Sequence, residues 1–162
     1  MNVLEALLSN KVLLISGGAW LIAQLIKIIG SLITEKRFNA ERIFGDGGMP
    51  SAHTTTVVCP ATLIGYTVGF YSPEFAISVI LAIIVMNDAT GVRLEAGKHA
   101  ASIKELAGAV NSLFVEKNSE IKTEKLKLLV GHTPLQVLCG AILGIAVAVA
   151  SIFIFDLQYA PI

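Results

Sequence analysis

Charge is scarce in this sequence. Asp, Glu, Lys and Arg supply 15% of its 162 residues, against about 25% in soluble domains. Cysteine is nearly absent. Cys59 and Cys139 both lie in apolar runs, which excludes a disulfide scaffold and marks them as small buried hydrophobes. Neither sign of charge prevails: twelve Lys and Arg balance twelve Asp and Glu, so nothing in the total points to nucleic acid. Several chemical signatures are missing as well. The three histidines and two cysteines show no H-x-x-x-H or C-x-x-C spacing, so no metal ligand set is expected. There is no G-x-x-x-x-G-K-[ST] phosphate loop and no G-x-S-x-G serine elbow. Internal repeats and low-complexity tracts are absent too, and the length suits one domain over residues 1–162.

What is present is apolar. Hydrophobic residues make up 54% of the chain and the mean hydropathy is +0.74, which excludes disorder. The apolar residues fall in four runs. The run 12–34 contains one charge, Lys27. The run 54–71 has no charge and holds Pro60, a source of a kink. The run 75–87 continues through Asp88 to residue 92. The run 135–155 is uncharged and rich in Gly and Ala, which suits close helix packing in lipid. A bilayer core takes about 20 apolar residues per helix. A soluble fold would instead have to bury four such helices beneath the remaining half of the chain. The expected fold is therefore an all-α integral membrane bundle with about four transmembrane helices. The first run is too long for a signal-peptide core and lacks a small-residue cleavage site, so it reads as a span.

Lys and Arg placement sets the expected orientation. Ten of the twelve lie in two long loops: Lys36, Arg37 and Arg42 in the first, and Arg93, Lys98, Lys104, Lys117, Lys122, Lys125 and Lys127 in the second. The turn Ser72-Pro73-Glu74 and the C-terminal tail have none. Four spans then place both loops in the cytoplasm and both termini outside, in a multi-pass membrane protein (of the cytoplasmic membrane, if bacterial). Within loop 94–131, Ile103, Leu106, Val110 and Leu113/Phe114 recur at helical spacing, opposite Lys104, Glu105, Glu116 and Lys117. This predicts an amphipathic cytoplasmic helix, either packed on its neighbours or lying on the membrane surface. Residues 122–130 predict a further short helix ended by Gly131.

Polar residues gather at three places, all at the inferred cytoplasmic ends of spans. The first is residues 45–54, including Gly47, Gly48, Met49, Pro50, Ser51, Ala52 and His53. Its glycines permit an unusual backbone, Ser51 is a candidate N-cap, and the helix start favours an anion that His53 could protonate. The plain alternative is a capped helix beside a surface histidine. The second is Asp88-Ala89-Thr90-Gly91-Val92-Arg93. An acid at the end of a span needs a partner, and Arg93 or a histidine from another span is within reach. A structural ion pair is the plain alternative. The third is Gly131-His132-Thr133-Pro134-Leu135-Gln136. His132 stands just before the fourth span as His53 stands just inside the second. Two histidines at one depth could act as nucleophile and general acid. His99 has no such setting and reads as solvated.

Pro50-Ser51-Ala52-His53 resembles the P-S-G-H motif of the type 2 phosphatidic acid phosphatases and vanadium haloperoxidases. His132-Thr133-Pro134-Leu135-Gln136-Val137, followed by Gly140, resembles that superfamily's H-x-x-x-D-V-x-x-G segment. The whole chain is still more similar to the divergent PAP2 branch, through Gly47 to Ser51, Asp88 to Arg93 and Gly131 to Pro134. That resemblance implies that His132 attacks phosphorus and His53 protonates the leaving alcohol. Ser51, Ala52 and Gly48 would bind phosphate oxygens. Neither cofactor nor metal would be needed, because basic side chains would neutralise the charge. The substrate implied is a membrane lipid phosphate or pyrophosphate met at the cytoplasmic face.

The chain departs from the superfamily pattern at three points. Gln136 stands where the Asp that orients the nucleophile is found. The S-R pair falls at Lys125 and Leu126. The K-x6-R-P motif is absent, Lys36 and Arg42 being one residue short of its spacing. On paper Asp88 could orient His132, while Lys27, Arg42 and Arg93 could surround a phosphate. These departures leave two other classes open: a phosphate-binding membrane protein without turnover, and a small transporter or scaffold. A homo-oligomer is also left open.

Overall fold

A computed structural model describes residues 2–35, 48–113 and 131–159. Among them the elements are all helical: α1 Val3–Ser9, α2 Lys11–Glu35, α3 Ala52–Thr67, α4 Pro73–Thr90, α5 Val92–Leu113 and α6 Pro134–Ile154. The starts are written in the sequence. Ser51, Ser72 and Thr133 cap α3, α4 and α6 by accepting from the backbone N–H three residues on. Pro73 and Pro134 follow two of those caps, where a missing N–H costs nothing. Asn2 and Glu5 close a capping box on α1, and Asn10 accepts from Leu13 N–H at the start of α2.

Three stretches are long and apolar enough to cross a membrane: Lys11–Ile33, Pro73–Asn111 and Pro134–Ile154. The second covers α4 and continues into α5 past Gly91. The first and last match the first and fourth apolar runs within a few residues, and the second begins with the third run but extends well beyond its end at residue 92. The second run differs. Its helix, α3, has 16 residues, about 24 Å of rise against a hydrocarbon core of about 30 Å.

That short helix is the centre of the bundle, and α2, α4 and α6 all pack on it. Along the α3–α6 seam, α6 turns Val137, Gly140, Gly144, Ala148 and Ser151 inward. A Cβ at Gly140 would lie 2.6 Å from the Ser51 carbonyl oxygen, and one at Gly144 would lie 3.0 Å from that of Thr55. The two backbones touch because glycine is there, the small-residue packing expected where lipid gives no hydrophobic drive. Ile15 and Ala19 of α2 join Cys59 and Leu63 of α3 and Ala148 of α6 in one buried cluster. The hydroxyls of Thr56, Thr62 and Thr67 turn back onto carbonyls four residues earlier, so α3 satisfies them without water.

Helix directions follow from these contacts. α6 runs parallel to α3, pairing Gly140 with Ser51 and Gly144 with Thr55. α2 runs against α3, with Lys27 beside Gly48 and Ile15 near Cys59. α4 also runs against α3, with Phe75 beside Gly65. The starts of α3 and α6 and the end of α4 therefore share one end of the bundle.

Helix α5 leaves its apolar stripe uncovered. Ile103 and Leu106 are 50% and 66% exposed, while Ala100 and Ala107 are buried. The buried side is the small-residue side, so of the two expected placements the exposed stripe fits the one on the membrane surface and not the one packed on neighbours. The expected helix over 122–130, the residues Leu113/Phe114 at the far end of the stripe, and Arg42 all fall on positions of whose side chains nothing is described.

Candidate functional site

The three polar places of the sequence meet at the shared end of the bundle. Two backbone hydrogen bonds tie them together. Ser51 N–H donates to the Gln136 carbonyl at 3.0 Å, joining the starts of α3 and α6. His132 N–H donates to the Ala89 carbonyl at 2.9 Å, joining the α6 approach to the end of α4. Gly131 makes the second contact possible. Its φ is +99°, and a Cβ there would lie 2.4 Å from Leu94 N and 2.6 Å from Arg93 C. Only glycine adopts that backbone freely and leaves room for the main chain beside it.

His132 is 1% exposed. Its Nδ1 lies 3.3 Å from Gln136 Oε1, and the same oxygen accepts from Thr133 N–H at 3.0 Å. Because a backbone N–H can only donate, the atom there is the amide oxygen and not its nitrogen. The contact therefore places a ring proton on Nδ1, and in the neutral ring the lone pair is then on Nε2. Gln136 is thus the hub of this end. Its side chain holds His132 and closes the capping box with Thr133, and its carbonyl holds Ser51.

His53 is the exposed partner of the buried His132. The two rings lie 6.0 Å apart between centroids and are tilted by 57°. Ser51, Thr54 and Thr55 are fully buried beneath them. Ser51 Oγ accepts from Thr54 N–H and from Thr54 Oγ1, at 3.3 and 3.0 Å. Thr55 Oγ1 bridges the Ser51 and Gly140 carbonyls, at 2.9 and 3.0 Å. Sequence reasoning does not single out the hydroxyls at 54 and 55. Their signal is the triple threonine 54–56 directly after the Pro50-Ser51-Ala52-His53 segment.

Lys27 reaches this end from α2. It is 7% exposed, and its side-chain carbons lie 3.6–4.0 Å from where a Cβ on Gly48 would stand. Gly48 has φ +104°, so the loop before α3 curls over the lysine stem. A charge in an apolar run is expensive unless it reaches a polar end, and the polar end it reaches is the one holding both histidines. Asp88 pairs with Arg93 Nε, and both side chains are about 40% exposed. Gln136, and not Asp88, occupies the place beside His132 Nδ1. The backbone of Arg93 lies against Gly131, so this ion pair borders the site.

The arrangement suits an anion. Two helix starts converge, bringing outward-pointing first-turn N–H groups and positive dipole ends at Ala52 and beside His132. Lys27 adds positive charge from α2, and Arg93, paired with Asp88, stands at the α4–α5 junction. Of the residues singled out, His53, His132, Ser51, Ala52, Gly48, Lys27, Asp88 and Arg93 gather at one end, and Arg42 lies outside the described residues. Among the described residues no group of three or more His, Cys, Asp or Glu comes together.

Comparison with known proteins identifies the family. The model of the divergent PAP2 family matches residues 8–147. A Bacillus subtilis (strain 168) protein named "uncharacterized membrane protein YuiD" is 36% identical over 155 residues, covering 92% of this chain and 98% of the relative. No solved structure matches the chain.

Proposed function

Because the chain belongs to the divergent PAP2 family, we propose that it hydrolyses a lipid phosphate or pyrophosphate monoester through His132 as nucleophile, at the cytoplasmic face of a membrane. The observation that carries this reading is the histidine pair: a buried His132 oriented through Nδ1, facing an exposed His53 across 6.0 Å. In the first step the phosphate enters past His53 to the buried Nε2, whose lone pair attacks phosphorus as the P–O bond to the alcohol, or to the bridging oxygen of a pyrophosphate, breaks. His53 gives its proton to the leaving oxygen. In the second step water attacks the phosphohistidine, the P–N bond breaks, and His53 takes the proton from water. Lys27, Arg93 and the N–H groups near Ala52 offset the charge on the phosphoryl oxygens, where most of the acceleration would arise. Asp88 holds Arg93 in position. The Lys and Arg of the long loops favour the cytoplasmic face.

Phosphate release from phosphatidate, prenyl phosphates and a chromogenic ester tests the proposal. Wild type should release phosphate, vanadate should inhibit, and His132→Ala should be inactive. Equal release by wild type and His132→Ala would sink it.

One observation favours a second reading, a phosphate-binding protein without turnover. Gln136 orients His132 but carries no charge to stabilise the imidazolium or phosphohistidine as a carboxylate does. Lipid phosphate retained in a native preparation, unhydrolysed over long incubation, would support that reading. A phosphohistidine trapped at position 132 would exclude it.

A further inference from the structure

Below the site, α4 and α6 stand apart and α3 lies between them as a floor. The result is a groove of about 460 Å³ walled by Val58 and Ala61 of α3, Val79 and Ile83 of α4, and Ile145 and Val149 of α6. The lining is almost wholly apolar, and the hydroxyl of Thr62 is turned back onto the Val58 carbonyl. The groove has two distinct ends. At the upper end Met86 stands three residues before Ala89, whose carbonyl holds His132. At the lower end Phe70 and Phe75 meet edge to face with centroids 5.1 Å apart. Their rings lean on Gly65, where a Cβ would come within 2.8 and 2.9 Å of them.

The distance between these ends matters. Phe75 and Met86 are eleven residues apart on one helix, about 16 Å of rise. That is about half the 30 Å hydrocarbon core, the depth of one leaflet. The chemistry of the wall matters as well: a lining this apolar suits a hydrocarbon chain and offers a polar ligand nothing to pair with.

We infer that the groove holds one hydrocarbon chain of an amphiphilic phosphate whose head lies at the His53–His132 end, and that the Phe70–Phe75 pair limits the chain length. This rests on the phosphate reading above and adds a tail subsite to it. A chain in the groove lies along α4, and its head emerges where α4 ends and α6 begins. The site then selects a substrate by two measurements, an anion at one end and a length at the other.

The test uses the full chain, purified in lipid nanodiscs, and hexadecyl phosphate carrying a photoreactive diazirine at mid-chain. Irradiation followed by mass spectrometry should place adducts on Val79, Ile83 and Val149. Ile83→Trp and Val149→Trp put bulk into the groove from half-exposed positions, without crowding the core. Each should reduce groove adducts and hexadecyl phosphate affinity by about tenfold. Inorganic phosphate binding needs no groove and reports separately on the head site. Phe75→Ala should shift the best-bound alkyl phosphate, across octyl, dodecyl, hexadecyl and longer chains, towards greater length. Adducts scattered over the outer faces of α2 and α6 with no preference for the groove overturn the inference, even if phosphate binds. So does cross-linking of the groove residues to a second copy. Loss of inorganic phosphate binding with groove adducts retained contradicts the head assignment and the phosphatase proposal together. An unchanged chain-length profile in Phe75→Ala overturns the length limit.

Discussion

The two ends of the bundle are built from the same helices and held together by opposite means. At the histidine end the helices are joined by backbone: Ser51 N–H to the Gln136 carbonyl, His132 N–H to the Ala89 carbonyl, and Gly131 and Gly140 pressed against neighbouring main chain. At the far end they are joined by rings, Phe70 on Phe75 and Tyr66 on Tyr159, at 5.1 and 5.2 Å between centroids. Main-chain contacts fix position and leave no room for change. Ring contacts fill space and can tilt. Under the proposed mechanism the histidine end is the one that needs precision, since a nucleophile misplaced by an ångström loses most of its rate.

Substitutions can break this contrast, and the largest effect should come from the site itself. His132→Ala should lower phosphate release by about a thousandfold or more, measured on purified protein against a lipid phosphate. Next is the seam beneath it. Gly140→Ala places a methyl 2.6 Å from the Ser51 carbonyl oxygen. It should destabilise by about 1–3 kcal/mol in thermal unfolding and separate the two helix starts. Thr133→Ala removes the cap of α6 and should cost about 1 kcal/mol, with a further loss of activity through Gln136 and His132.

At a glycine with open space the sign reverses. Gly17 in α2 has nothing within 4 Å of where a methyl would stand, so Gly17→Ala should stabilise by about 0.5–1 kcal/mol. If Gly17→Ala and Gly140→Ala shift stability alike, the backbone-contact account of the seam is wrong. The smallest effect belongs to Asp88→Asn. It removes a half-exposed ion pair and should change stability by less than about 1 kcal/mol.

Much of this architecture is legible in the sequence. Hydropathy locates α2, α4 and α6 within a few residues, because a bilayer imposes length and apolarity so strictly that few alternatives survive. The caps Ser51, Ser72 and Thr133 are read directly from their residue types. The gathering of Ser51, His53, Asp88 and His132 at one end follows from span alternation alone.

Other features are hidden because they depend on which face meets which. Lys27 is one of three basic candidates for a phosphate in the sequence, and only the fold sets Gly48 against its stem. Gln136 reads as a loss, yet its oxygen holds both Thr133 N–H and His132 Nδ1. On α5 the pattern leaves open whether the Ile103–Leu106 face meets a neighbour or the membrane surface, and the helix buries its alanines and leaves that face outside. Periodicity finds a stripe, but the neighbours available decide which stripe is covered.

The shortness of α3 gives the molecule a sensitivity to membrane thickness. Its partners α2 and α6 are long enough to span the hydrocarbon core, while the helix that carries His53 and its cap Ser51 rises about 24 Å. Mismatch of this kind costs a fraction of a kcal/mol per ångström. In a thicker bilayer α3 would begin further below the headgroups, and the histidine pair with it. On the proposed function, a lipid phosphate would have to be drawn down to reach them. In a thinner bilayer the same pair would stand level with the phosphates of the leaflet, so the lipid composition of the membrane becomes a variable of the site.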